Sequence, residues 1–267
     1  MRERKVYDCC IYNSEWQMLN FRLHELNDVV DKFIIVEGKY TFQCAKKDRP
    51  MLDISTLPFQ DKIIHKVLDG PPDPDPWVNE STIRDFCIEG LRDIELYSND
   101  IILGSDVDEI PDSKEIAHIK KHGLEGYKQI TCLQNFFYYN VYTMKPKKFA
   151  STRITTVEML LKEYDKSFHK LRTLPPNEHV KYLGGTDNNP DWESGGWHFS
   201  YFGDENFIID KIESFNHFEY NLPEYKDPEK IKQAIKEGKD VFFRGGMEDM
   251  VIDYNRKYMP KFVHLLK

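Results

Sequence analysis

The sequence predicts an α/β fold with a mostly parallel central sheet covered by helices on both faces. Two observations carry this expectation. Strand-like and helix-like segments alternate through the first half of the chain. The strand-like segments are continuous apolar runs, as in strands buried on both faces, and do not alternate apolar with polar residues. The length of 267 residues suits one large domain, and 40% hydrophobic against 31% charged residues supplies a sizeable core.

Residues 6–12 read as a short buried strand. Ser14 and Gln17 then form a capping-box pattern, and Trp16, Leu19, Leu23 and Leu26 follow at helical spacing. Residues 33–36 and 63–68 are further strands, and the Pro/Asp-rich segment 70–76 is a surface loop. A helix is expected over about residues 80–96, with Ile83, Cys87, Leu91 and Ile94 on one face. Residues 101–103 form a fourth strand that runs into Ser105-Asp106-Val107-Asp108-Glu109. The second half is less regular. It holds an aromatic strand or hairpin over 128–142, a strand over 196–202, a helix over 204–215 and a charged surface helix over 227–238. Repeats and linkers are not evident, so residues 1–267 read as one domain.

The formal net charge is −8. That argues against a nucleic-acid partner, which needs a basic patch. It still permits a nucleotide diphosphate if a divalent cation mediates. Five scattered cysteines (Cys9, Cys10, Cys44, Cys87 and Cys132) suit neither a zinc site nor a complete set of disulfides. Without an apolar stretch long enough for a signal peptide or a membrane span, a cytoplasmic setting and no membrane span are expected. The sequence is silent on oligomeric state.

The chemistry centres on Asp106-Val107-Asp108. In extended backbone, residues two apart face the same side, and ligands of parallel sheets bind beyond the carboxyl ends of the strands. Two carboxylates there need a cation between them, and Mg²⁺ or Mn²⁺ suits oxygen ligands and substrate phosphates. A solvated acidic turn is the plainer alternative. Glu80 and Arg84 lie one helical turn apart. They suit a surface ion pair, or else an Arg84 that reaches a diphosphate. Glu37 ends a strand, where a carboxylate can accept from a uracil or ribose group. In Gly195-Gly196-Trp197-His198-Phe199-Ser200-Tyr201 the glycines permit close approach of a ligand. Trp197 and Tyr201 can stack on a sugar, as can Trp192 nearby. His198 suits a metal ligand, a base or a satisfied core histidine.

Together these residues resemble glycosyltransferase family 17. The matching stretches run in order: Arg22 to Asp31 and on through Phe33 to Glu37; Arg84 ahead of Asp106-Val107-Asp108-Glu109-Ile110-Pro111; Gly196-Trp197-His198 with Ser200, then Lys211; and Tyr258-x-Pro260 leading to His264-Leu265-Leu266. The resemblance implies a GT-A-type, Rossmann-like nucleotide-diphospho-sugar transferase fold. Its first half (about 1–125) would bind the nucleotide sugar and its second (about 126–267) would build the acceptor side. It further implies a UDP-sugar donor, UDP-GlcNAc foremost, a divalent cation, a glycan acceptor, and inversion to a β linkage. On this reading Glu37, Arg84, Asp106 and Asp108 bind the donor, and the two aspartates bind the metal. Trp192, Trp197 and Tyr201 bind the acceptor. Animal members of the family carry an N-terminal anchor, whereas His217-x-Glu219 looks more like soluble microbial or viral-type members.

An inverting displacement needs a general base at the acceptor hydroxyl. Glu109, Glu193, Glu205, Glu219 and His198 are the candidates. Glu205 opens the helix after the Gly-Trp-His strand, where many inverting GT-A enzymes place an acid. Two other classes use the same features. A nucleotidyltransferase or phosphohydrolase would hold a metal on the same aspartates, and an inactive carbohydrate-binding protein would need neither metal nor nucleotide sugar.

Overall fold

The computed structural model describes residues 2–48, 51–173, 179–184, 194–242, 244, 250–255 and 258–266. The chain runs β1 (Val6–Ile11), α1 (Trp16–Leu26), β2 (Lys32–Gly38), β3 (Ile63–Leu68), α2 (Pro76–Asp85), α3 (Cys87–Leu91), β4 (Ile101–Asp106), β5 (Glu109–Pro111) and α4 (Ser113–His122). The second half adds β6 (Gln129–Tyr138), β7 (Thr143–Met144), β8 (Phe149–Thr156), α5 (Val157–Lys162), α6 (Phe168–Thr173), β9 (Val180–Leu183), β10 (Gly196–Ser200), α7 (Glu205–Ser214), α8 (Pro228–Glu237) and β11 (Val251–Ile252).

The main sheet has the order β11-β7-β6-β8-β4-β1-β2-β3. The block β3-β2-β1-β4 is parallel. β8 then pairs antiparallel with both β4 and β6. β10 lies parallel to β6 and antiparallel to β5, so it ties the end of the acidic turn into the second half. Helices cover both faces, as expected. One face packs α1 and α4 through Leu19, Phe21, Ile116 and Ile119. The other packs α2, α3, α5 and α6 through Ile83, Leu91, Leu160 and Phe168. A third apolar cluster joins α7 and α8 to Tyr138, Tyr139 and Tyr201.

Local chemistry sets the element ends. Asp75 caps α2 by accepting from Trp77 N, with Pro76 in the first turn. Asp204 and Asp227 cap α7 and α8 in the same way. The helix expected over 80–96 is two helices that end at Leu91. They cross β2 closely, because a Cβ on Gly90 would lie 2.4 Å from Ile34 Cγ2. The capping box at Ser14 and Gln17 does not form. Instead the Glu15 carboxylate accepts from the Asn13 and Ser14 amides, each at 3.0 Å. The glycines before His198 serve packing, not ligand approach. Gly196 has φ +127, and a Cβ there would lie 2.1 Å from Ile110 O.

Candidate active site

A cleft of about 850 Å³ opens at the carboxyl ends of the parallel strands. The acidic turn forms its floor, and Asp106, Val107, Asp108 and Glu109 all line it. β4 ends at Asp106, so strand alternation does not extend to Asp108. The two carboxylates therefore engage different walls, contrary to the same-side expectation.

Asp106 faces α2 and α6. Its Oδ1 lies 2.6 Å from Arg84 Nη1 and its Oδ2 3.3 Å from Arg172 Nη2. Arg84 also pairs with Glu80 at 2.6 Å, and Glu80 accepts from Asn216 Nδ2 at 2.7 Å. Arg84 therefore pairs with Glu80 as one expectation had it, but the pair is buried against the acidic turn and not on the surface. Arg172 grips Glu109 with both Nη atoms, at 2.8 and 2.6 Å. Burial alone would raise the Asp106 carboxyl, but Arg172 and Arg84 outweigh it and hold the group well below the usual carboxylate range. Glu109 is likewise lowered, with Arg172 overcoming burial.

Asp108 faces β10 and α7. Its Oδ2 lies 2.9 Å from Lys211 Nζ and its Oδ1 3.7 Å from His198 Nε2. Lys211 also approaches Glu15 at 3.8 Å. Burial would lower the Lys211 ammonium, but Asp108 and Glu15 together raise it. His198 stacks on Phe136 with ring centroids 4.5 Å apart. Burial lowers its pKa below the ordinary histidine value, with Asp108 offsetting only part of the effect, so the imidazole is held neutral.

Several expected site residues lie elsewhere. The Glu37 carboxylate is buried and engaged, accepting from Leu52 N at 2.6 Å and contacting His65 Nε2 at 2.8 Å. Trp197 is 2% exposed and stacks on Tyr258, so its ring has no face to offer a sugar. Tyr201 is buried in the α7/α8 cluster. Glu205 pairs with Lys232 at 3.2 Å, and Glu219 with His217 Nδ1 at 2.7 Å. Trp192 and Glu193 fall outside the described residues. Sequence reasoning assigned no role to Arg172, which lies on a short helix with no periodic signal. Lys211 and Glu15 likewise carry no local sequence signal for their contacts with the acidic turn and with each other.

The donor set suits a metal that arrives with a ligand better than one held by protein alone. Among the described residues no group of three or more His, Cys, Asp or Glu side chains is arranged around a metal position. Asp106 and Asp108 are hard oxygen donors on one cleft. Mg²⁺-type ions are often held by one or two carboxylates plus substrate phosphates, and this pair fits that mode.

Carboxylates, guanidiniums and an ammonium thus gather at the carboxyl ends of the parallel block, where ligands of such sheets bind. The model of glycosyltransferase family 17 matches residues 1–247, and the chain belongs to that family. Over 128 residues it is 31% identical to the human beta-1,4-mannosyl-glycoprotein 4-beta-N-acetylglucosaminyltransferase, which covers 44% of this chain and 24% of that protein. The rat enzyme of the same name is also 31% identical over 128 residues, covering 44% of this chain and 23% of its own. The match thus spans about a quarter of these curated relatives. Among solved structures, a 4-diphosphocytidyl-2C-methyl-D-erythritol synthase from Anaerococcus prevotii aligns with TM-score 0.37 and 14% identity, over 70% of this chain and 92% of that one. Among the described residues no helix is long and apolar enough to cross a membrane.

Proposed function

We propose that the chain transfers N-acetylglucosamine from UDP-GlcNAc to a glycan hydroxyl, with inversion to a β linkage and with a divalent cation. One observation carries the reading. In a chain of this family, Asp106 and Asp108 sit in one cleft among Arg84, Arg172 and Lys211. The names of the curated relatives support the sugar.

The leaving group is a diphosphate, whose charge grows as the bond to the sugar breaks. Arg84 and Arg172 present guanidinium forks suited to phosphate oxygens, and Lys211 adds a point charge. Asp106 and Asp108 would hold the cation, which neutralises charge on the departing diphosphate when bound. The neutral imidazole of His198 faces Asp108 and keeps a lone pair for a proton or a cation. Glu109, Glu205 and Glu219 are each committed to a cationic or histidine partner. With Trp197 and Tyr201 buried, the cleft offers a sugar face the indole of Trp77, which is 44% exposed and packed edge-on by His217.

The test is a calorimetric titration of UDP in Mn²⁺, repeated in EDTA, followed by a screen of nucleotide sugars with product analysis. Binding that depends on Mn²⁺, with UDP released on turnover of UDP-GlcNAc, is expected. Equal affinity in EDTA removes the cation from the site. Release of pyrophosphate moves the chain to nucleotidyl transfer.

A further inference from the structure

We propose that Arg22 is a positioning residue that sets the backbone of the Asp106–Asp108 turn, and through it the donor site. The proposal rests on the reading of that turn as the donor site, given above. Arg22 lies on the sheet-facing side of α1 and is fully buried. Its Nε and Nη2 bind the two oxygens of Asp8 at 2.7 and 2.6 Å. Nη2 also donates to Ser105 Oγ at 2.6 Å. Nη1 donates to the main-chain carbonyls of Asp106 at 3.1 Å, Val107 at 3.4 Å and Glu109 at 2.8 Å.

All the guanidinium donors are therefore used, and the turn supplies four of the acceptors. A turn that points three successive-region carbonyls at one cation is held in a single conformation. Asp8 sits in the middle of β1, between Val6 and Cys10, which pack in the core on the same face. A buried ion pair in such a place stabilises little relative to apolar packing of the same volume. What it supplies here is geometry: a planar fork bridging β1, β4 and the turn. Lysine keeps the charge for Asp8 but has no fork to reach the carbonyls.

The experiment compares Arg22→Lys with wild type in two ways. Hydrogen exchange of the unliganded protein should show residues 105–109 exchanging at least about tenfold faster, with β2 unchanged. UDP affinity in Mn²⁺ should fall by about tenfold to a hundredfold. In the background Asp108→Asn most of that loss should disappear, because Arg22 acts on UDP only through the placement of the turn that carries Asp108. The thermal-stability effects of the two substitutions should instead add. Unchanged exchange across the turn overturns the proposal, and so do affinity losses that multiply fully. If Arg22→Lys does not fold, Ser105→Ala removes one acceptor and is read by the same exchange measurement, with a change of a few-fold expected and none overturning the proposal. A wild-type protein that binds no UDP would sink the donor-site reading, while the exchange result would still decide the role of Arg22 in the turn.

Discussion

The two walls of the cleft treat their aspartates differently. On the α2/α6 wall, Asp106 lies between two guanidiniums, and each of these holds a second carboxylate, Glu80 or Glu109. On the β10/α7 wall, Asp108 meets a single ammonium and a neutral imidazole. One wall is a closed network and the other is an open pair. Each guanidinium of the first network, and Asp106 between them, has a second ionic partner at short range, whereas Lys211 has Glu15 besides Asp108 only at 3.8 Å.

The largest expected effects follow from this contrast. Asp108→Ala should reduce turnover by more than about a thousandfold while moving the melting temperature little, because Lys211 keeps Glu15 nearby. Asp106→Asn should also lose turnover, and it should cost about 1–3 kcal/mol of stability by leaving two guanidiniums facing each other in a partly exposed cleft. Equal stability losses in the two variants, read from thermal melts, would erase the distinction between the walls.

A smaller effect is expected at Arg84. Arg84→Lys keeps the charge but cannot span Glu80 and Asp106 together. A charge-assisted contact strengthened in the transition state contributes about 2–3 kcal/mol, so kcat should fall by roughly a hundredfold. A kcat that does not change would reduce Arg84 to a structural strut of its wall.

The smallest effect is a pH dependence of the open wall. The folded pKa of His198 lies below its unfolded value, mainly through burial. Between those two values the unfolded state binds more protons, so stability rises with pH across that window and falls on acidification through it. Melting temperatures of the ligand-free protein at about pH 7 and about pH 5 should therefore drop by a few degrees more in wild type than in His198→Asn. The same slope in both proteins would show that His198 is not the group responsible.

The parallel block was legible because its strands are unbroken apolar runs between amphipathic helices, and the acidic turn because it follows such a run. Arg84 was legible as a residue one turn from Glu80 on the helix ahead of that strand. Arg172 was not, because α6 is short and its role depends on a fold-back of α6 onto α2 and β4 that no local pattern records. Trp197 misled because an indole beside glycines reads the same whether solvent or Tyr258 covers it. Tyr201 misled for a similar reason, since the covering layer of α7 and α8 comes later in the chain. Asp8 was an unread signal. A carboxylate inside an apolar strand requires a buried cation, and Arg22 is that cation.

The pairing of β5 with β10 puts Glu109 opposite His198 and so makes the cleft depend on contacts distant in sequence. A nascent chain that has emerged only through α4 already carries the acidic turn and its Arg22 clamp, yet it lacks Arg172, His198 and Lys211. Glu109 would then sit near Asp106 with no guanidinium between them. Arg84 already meets Asp106 from the first half, but the guanidinium that bridges Asp106 and Glu109 comes from the second, through contacts distant in sequence, a slow class of folding event. The cleft is thus complete only when residues from both halves of the chain have come together.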